Sequence, residues 1–280
     1  MAKPESIMSH IENYRENEDY AEFLASWDDS FFAKYVQCLA AGDTKKRILD
    51  VGCGVGQVVK LLRDQDHDAQ GVDVSEPNIR TALKHVGHCH VYDGSRLPFE
   101  DATFDAVGAF NVLEHVDEPE AFIAELIRVL SPGGRLVISS PNFLRVLGFR
   151  DYHPRMRGLG SKCRNAIKLL RIYQSIRHAP KSVRFERMPP IVKKPFSPDD
   201  DAIVVTNALQ MKFFIEQNGC RVQTVACTDR IVPGIVDWVL NLPLLKYLWF
   251  NAFLVATKDQ DLPQRARDEA SGRSAQSPVG

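Results

Sequence analysis

Three carboxylates and a run of glycines carry the clearest chemical signal in the sequence. The run is Asp50-Val51-Gly52-Cys53-Gly54-Val55-Gly56. Glycines in such a loop let the backbone turn tightly and let a ligand come close to the main chain. The spacing is G-x-G-x-G and is followed by Gln57, so the G-x-G-x-x-G fingerprint of dinucleotide binding is not met. Asp50 stands at the loop entrance, where it would repel a pyrophosphate and attract a cation. Asp73, in Gly71-Val72-Asp73-Val74, follows at a distance where an acid can hydrogen-bond the hydroxyls of a ribose. Asp93, followed by Gly94, is a third acid and could accept from an adenine amino group. Together the three describe a ligand with a ribose, an amino-bearing base and a positive charge, which S-adenosylmethionine fits. A plainer reading, in which Asp73 and Asp93 only cap helices, leaves the glycine loop at the matching distance unexplained.

Such acids must stand at the ends of strands. Ile48 to Val51, Ala69 to Val74, Cys89 to Tyr92, Phe104 to Phe110 and Arg135 to Ser139 are short apolar runs that suit buried parallel strands. Helical stretches alternate with them, which implies right-handed βαβ units and a doubly wound sheet. The clearest helix is Glu120 to Leu130, with Asp117 and Glu120 as a capping box and Pro132-Gly133-Gly134 as its stop. Residues 1–44 read as a helical cap, since Tyr20, Phe23, Leu24, Trp27, Phe31, Phe32 and Tyr35 form one apolar stripe. A helix over Asn207 to Asn218 and strands over Arg221 to Cys227 and Asn251 to Thr257 complete a domain spanning 45–258.

The chain has 280 residues, 44% of them hydrophobic and 25% charged, which allows one large domain or two small ones. Six cysteines stand far apart with no C-x-x-C pair, the pattern of free thiols in a reducing compartment. The start of the chain has no apolar signal core, and no long apolar run escapes charge or proline, so a cytoplasmic chain is expected. A net charge of −1 conceals a local extreme. From Phe143 to Lys194 there are 14 Lys or Arg against Asp151 and Glu186, a net +12 that leaves −13 for the remainder. This basic insertion, 143–200, follows the fifth strand and points to an anionic or lipid-linked acceptor or an anionic membrane surface. Its aromatics (Tyr152, Tyr173 and Phe185) are too sparse for base stacking, which disfavours nucleic acid. Its helix has an apolar side in Ile167, Leu169, Leu170, Ile172, Tyr173 and Ile176, so a solvated charged face is the plainer alternative. The apolar segment 231–250, with Trp238, Tyr247 and Trp249, either packs over the sheet or dips into a membrane interface at the inner face. The polar tail, 259–280, is expected to be disordered.

The sequence resembles the class I S-adenosylmethionine-dependent methyltransferases, closely over 47–142. Beside the glycine loop, the resemblance rests on Leu97-Pro98-Phe99-Glu100-Asp101-Ala102-Thr103-Phe104-Asp105, Val112-Leu113-Glu114-His115-Val116 and Leu130-Ser131-Pro132-Gly133-Gly134. These look like the subgroup of ubiquinone O-methyltransferases and many small-molecule and glycan methyltransferases. It implies a Rossmann-like sheet of seven strands with an antiparallel last strand. It also implies a cofactor set of Asp50, Gly52, Cys53, Gly54, Asp73, Val74, Asp93, Gly94, Phe110 and Asn111, the last two beside the sulfonium. Some relatives place an acid three residues before the Glu-His pair and bind a divalent ion. Asn111 stands there in this chain, so no metal is expected. His115, Tyr152 and His153 are candidates for taking a proton from the acceptor. The acceptor expected first is a hydroxyl of a saccharide or lipid-linked glycan. A quinone or other lipidic phenol, methylated on oxygen or carbon, comes next, and a non-catalytic S-adenosylmethionine-binding scaffold is the reading of another class.

Overall fold

The computed structural model describes residues 12–148, 153–191 and 199–260. The first eleven residues of the expected cap, Tyr152 and the tail from 261 onward lie outside the described residues.

The cap is not one continuous helix. It breaks into α1 (Glu12–Arg15), α2 (Glu18–Ala25) and α3 (Ala33–Ala40). The interruption lies at Asp28, whose carboxylate accepts from Ser30 N (2.9 Å) and starts a 3-10 turn over Asp29–Phe32. A local side-chain bond to the backbone outcompetes the helix there, although the aromatic spacing runs straight through it.

Alternation then follows as expected: β1 (Arg47–Val51), α4 (Gln57–Asp64), β2 (Asp68–Asp73), α5 (Glu76–Ala82), β3 (Cys89–Val91), β4 (Phe104–Phe110), α6 (Pro119–Val129) and β5 (Leu130–Pro141). The insertion holds α7 (Gly158–His178) and β6 (Glu186–Arg187), and β6 pairs with β7 (Val204–Val205), just after the insertion, in a small sheet of their own. The domain closes with α8 (Ala208–Gln217), β8 (Cys220–Ala226), α9 (Gly234–Leu240) and β9 (Asn251–Lys258). The tail expected from 259 starts as an ordered end of the fold, since Asp259 N donates to Gly219 O at 3.0 Å.

The main sheet has seven strands in the order β3-β2-β1-β4-β5-β9-β8, with β9 antiparallel to both of its neighbours. Strand order reverses between β1 and β4, and their carboxyl ends therefore open a crevice, the usual ligand position in open α/β sheets. Both faces of the sheet are covered. Leu49 and Val51 point into the cluster with Phe122, Ile123 and Leu126 of α6. Ile48 points the other way, to Tyr35 and Leu39 of α3 and Leu62 of α4. Double coverage is why the strands read as apolar runs and not as alternating sequence.

Two local expectations fail. The capping box before α6 does not form: Glu118 occupies the N-cap with no side-chain bond, Pro119 leads the helix, and Glu120 Oε1 accepts from Phe185 N (3.0 Å) in the insertion. In α7 the buried residues are Ser161, Asn165 and Leu169, while Ile167, Leu170 and Tyr173 face outward. The apolar segment 231–250 holds no buried residue at all. No helix among the described residues is long and apolar enough to cross a membrane.

One contact shows how tightly the sheet and cap are fitted. Tyr35 of α3 is wholly buried and passes over Gly108 in β4, where a Cβ would lie 2.0 Å from the tyrosine oxygen. Gly108→Ala should therefore displace Tyr35 and cost about 1–3 kcal/mol through overpacking. A chemical denaturation midpoint equal to that of the parent chain would show that the cap yields without cost.

Candidate active site

The glycine loop links β1 to α4, and three of its glycines have positive φ: Gly52 at 74°, Gly54 at 53° and Gly56 at 82°. Gly52 N and Cys53 N both donate to Val72 O, at 2.7 and 3.0 Å, which folds the loop back over the end of β2. A side chain at Gly52 would meet Val112 Cγ2 at 2.3 Å, so the turn is pressed against the segment after β4.

Asp73 fixes the same loop. Its Oδ2 accepts from Gly54 N (2.8 Å), and its Oδ1 accepts from Ser75 N (2.9 Å) and Asn78 Nδ2 (3.3 Å). A carboxylate offers about four acceptor positions; three of these are taken by the protein itself, which leaves room for one ligand hydroxyl more readily than two. Asp50 is buried beneath, 2% exposed, and accepts from Tyr35 Oη at 2.8 Å. Burial pushes its carboxyl up to about 7, against the pull of the Tyr35 hydrogen bond, and the charge of Asp73 adds to the rise. Burial raises Asp73 as well, opposed by its backbone bonds to Ser75 and Gly54.

Asp93 does not line the cleft. It is exposed, and its Oδ1 accepts from Ser95 N (2.8 Å) and Arg96 N (3.2 Å), bonds that hold the carboxyl below the usual range. It closes a turn, and its neighbours Tyr92 and Gly94 reach the ligand space instead.

That space is a cleft at the carboxyl ends of β1, β2 and β4. Nine of the ten residues expected to bind the cofactor line it, Asp93 being the exception. The sequence reading missed the part played by Tyr14, Tyr20, Leu24 and Trp27, which roof the cleft from the cap, and by Asn78. Their aromatic spacing was visible but reads equally well as packing. Asn111 lines the cleft with φ at 55°, a strained conformation for a residue other than glycine, and its Oδ1 is buried with no hydrogen-bond partner among the described residues. Two buried acids and an orphaned carbonyl oxygen form an acceptor-only set. Such a set fits S-adenosylmethionine, whose ammonium and sulfonium groups supply the missing positive charge.

His115 stands at the other side of the cleft. Tyr14 Oη lies 3.0 Å from His115 Nδ1 and donates to Asp201 Oδ2 at 2.5 Å. With the tyrosine proton committed to Asp201, Nδ1 must be the donor to Tyr14. That tautomer puts the lone pair of the neutral ring on Nε2. Asp201 was not foreseen; the acidic run 199–201 directly after the basic insertion is its only sequence signal.

Glu114, next to it, is fully buried. Its Oε2 lies 2.8 Å from Ser140 Oγ, which lies 2.9 Å from Thr206 Oγ1, which in turn donates to Pro141 O (2.6 Å). Three contacts need three protons, and the two hydroxyls supply two. A neutral Glu114 donating to Ser140 completes the chain, in keeping with burial that raises its carboxyl well above the usual range. Glu114, His115 and Asp199 bring donor atoms within 4.8 Å of one another, a grouping that the search for an acid at position 111 did not anticipate. His153 is not part of the cleft: it is buried in the insertion, 5.1 Å edge-on to Phe143, and its Nδ1 accepts from Arg155 N (3.3 Å).

Comparison with known proteins agrees with this geometry. Residues 49–138 match the family model of the methyltransferase domain. The chain is 36% identical over 104 residues to norajmaline N-methyltransferase of Rauvolfia serpentina, a match covering 34% of this chain and 36% of that protein. It is 33% identical over 103 residues to ubiquinone biosynthesis O-methyltransferase of Maricaulis maris, covering 34% and 41%. The chain thus spans about two fifths of the length of these relatives. An S-adenosylmethionine-dependent methyltransferase from Mesorhizobium loti shares the fold at a TM-score of 0.56 and 14% identity, over 81% of this chain and 98% of the other. Residues 49–138 thus match a methyltransferase domain, and the glycine loop, Asp50 and Asp73 all lie within the matched stretch.

Proposed function

We propose that the chain transfers a methyl group from S-adenosylmethionine to the hydroxyl of a quinone precursor or another lipidic phenol. The observation that carries this reading is the pairing, across one cleft, of an acceptor-only floor with a histidine whose Nδ1 lies 3.0 Å from Tyr14 Oη. When bound, S-adenosylmethionine supplies an electrophilic methyl and leaves as S-adenosylhomocysteine. Asp50, Asp73 and Asn111 hold the positive charge at one end. His115 Nε2 takes the hydroxyl proton as the acceptor oxygen forms its bond to carbon. Tyr14 and Asp201 act through His115: they fix its ring and stabilise the charged form, with Asp201 Oδ1 3.8 Å from Nδ1. Glu114 Oε1, an unpaired buried acceptor 3.9 Å from Nε2, faces the nitrogen that gains the proton.

A saccharide acceptor, the first expectation from sequence, finds no support among the relatives. Beside the acids, the cleft is walled by Phe110, Val112, Val116, Tyr14, Tyr20 and Trp27, which suits an aromatic ring better than a sugar. One relative acts on ubiquinone precursors by its name, and that favours the phenol. Turnover of a prenylated phenol and of a glycan acceptor, compared side by side by mass spectrometry of the products, decides between them. S-adenosylhomocysteine formed with neither, nor with cell extract, leaves the non-catalytic scaffold.

Cofactor binding should depend on pH through Asp50. In the ligand-free chain the folded state keeps a proton up to about 7 that the unfolded chain releases near pH 4, so stability falls as pH rises between them. A cation beside Asp50 favours its ionised form. Affinity for S-adenosylmethionine should therefore climb by up to about tenfold per pH unit below roughly pH 7 and level off above it. Calorimetric titration across this range should show the slope, and Asp50→Asn should flatten it. Parallel slopes in both proteins would remove Asp50 from the ligand's surroundings.

The proton path has its own test. His115→Ala should lower kcat about a hundredfold or more while leaving cofactor affinity near its original value. Asp201→Asn removes a carboxylate charge beside the ring, so the acid limb of the kcat profile should shift to lower pH as kcat falls. An Asp201→Asn variant with an unmoved limb would assign Asp201 to structure alone.

A further inference from the structure

The segment 231–250 is the most apolar stretch of the chain, yet none of its twenty residues is buried. Ile231 is 66% exposed, Ile235 76%, Trp238 66% and Leu244 80%. Helix α9 lies within it and has no buried residue on any side. Its one charge, Asp237, is taken up by Asn241, whose Nδ2 donates to Oδ1 at 3.0 Å. A helix apolar all round belongs in an apolar surrounding, and here the protein does not provide one.

A second exposed apolar stripe lies close by, on α7. Leu159, Cys163, Ile167, Leu170 and Tyr173 recur at three- and four-residue spacing and are all exposed. They lie roughly opposite the face that Ser161, Asn165 and Leu169 bury. Exposed arginines accompany the stripe: Arg171 flanks it, and Arg177 ends it with a hydrogen bond to Tyr173 Oη (2.9 Å). The two segments share one support. Leu248 packs into the cluster of Leu169 and Met156, and its carbonyl accepts from Val146 N and Leu147 N. Buried Asn142, just past β5, donates to Tyr247 O and Trp249 O at 3.0 and 2.9 Å. Both surfaces are therefore anchored at the carboxyl end of β5, beside the cleft.

We propose that the exposed faces of α7 and α9 form a docking surface for an anionic lipid bilayer, on which the protein lies without crossing it. Aliphatic side chains enter the acyl boundary, Trp238 and Tyr173 sit at headgroup level, and the arginines meet lipid phosphates. Charge selects this occupant over a second copy of the chain. A two-fold contact sets the same patch against itself, and here that would oppose two copies of α7, which carries five Lys or Arg and no acid. An anionic leaflet instead neutralises them. The inference is independent of the acceptor and can be read without any turnover.

Flotation of the full chain with phosphatidylcholine vesicles, with and without phosphatidylglycerol, provides the test. Binding should require the anionic lipid, weaken as salt is raised and be accompanied by a blue shift in fluorescence that Trp238→Phe removes. Each basic side chain near an anionic leaflet is worth roughly fivefold in partitioning. The double variant Arg171→Gln, Arg177→Gln should thus lose on the order of twenty-fivefold. Ile235→Ser with Trp238→Ser should weaken binding at least tenfold with an unchanged melting profile, since both residues are exposed. The proposal is overturned by wild-type chain that stays with neither vesicle or by binding that both variants leave intact. It is equally overturned if sedimentation shows a dimer that Ile235→Ser with Trp238→Ser dissolves while vesicle binding is absent.

Discussion

Asp50 and Asp73 end adjacent parallel strands and are buried under one roof, each raising the cost of ionising the other. Much of the surrounding structure serves to make that arrangement tolerable. Asp73 is held by two main-chain amides and an asparagine, so it can keep its charge only while the glycine loop stays folded over β2. Among the described residues Asp50 has one donor, Tyr35, and this hydroxyl reaches it only because Gly108 has no side chain. The cap is thus part of the acid site and not an accessory to it. What the protein leaves unsatisfied is positive charge, and the ligand brings it.

A different economy rules the far side of the cleft. Glu114 is as deeply buried as Asp50, but its neighbours are hydroxyls arranged in one direction, and a proton on the carboxyl completes the chain to Pro141 O. A neutral acid there anchors the segment that returns from the insertion, because Glu114 O also accepts from Ile203 N (2.8 Å). That return carries Asp201 to Tyr14 and so joins the first helix of the cap to the end of the insertion. Burial raises both acids; Asp50 faces the cleft, where a cation can ionise it, whereas Glu114 Oε2 faces the Ser140 hydroxyl.

Much of this was legible in the sequence because local chemistry decided it. Strands buried on both faces read as apolar runs, and glycines at positive φ marked the loop, so nine of ten cofactor positions fall on the cleft. Asp93 falls outside the cleft for an equally local reason: an Asp before Gly-Ser bonds its own turn, and three strand-end acids in series hid that alternative. The cap broke at Asp28 because one side-chain bond to Ser30 outweighs a continuing aromatic period. Tyr14, Asp201 and the bond of Glu120 to Phe185 N were out of reach. They join residues 65 to 187 positions apart, and no spacing rule within a helix or strand encodes such a meeting.

The position of β9 has a consequence for how the chain can be made. It is the last strand in the described sequence, yet it lies inside the sheet, antiparallel between β5 and β8. Until residues 251–258 have emerged, β5 presents an open edge lined by apolar sequence, and β8 has no neighbour to pair with. Vectorial synthesis therefore delivers the cofactor half early and withholds closure of this sheet until β9 has been made. Open strand edges invite pairing with other chains, so the nascent protein is most vulnerable to aggregation just before β9 is threaded into place.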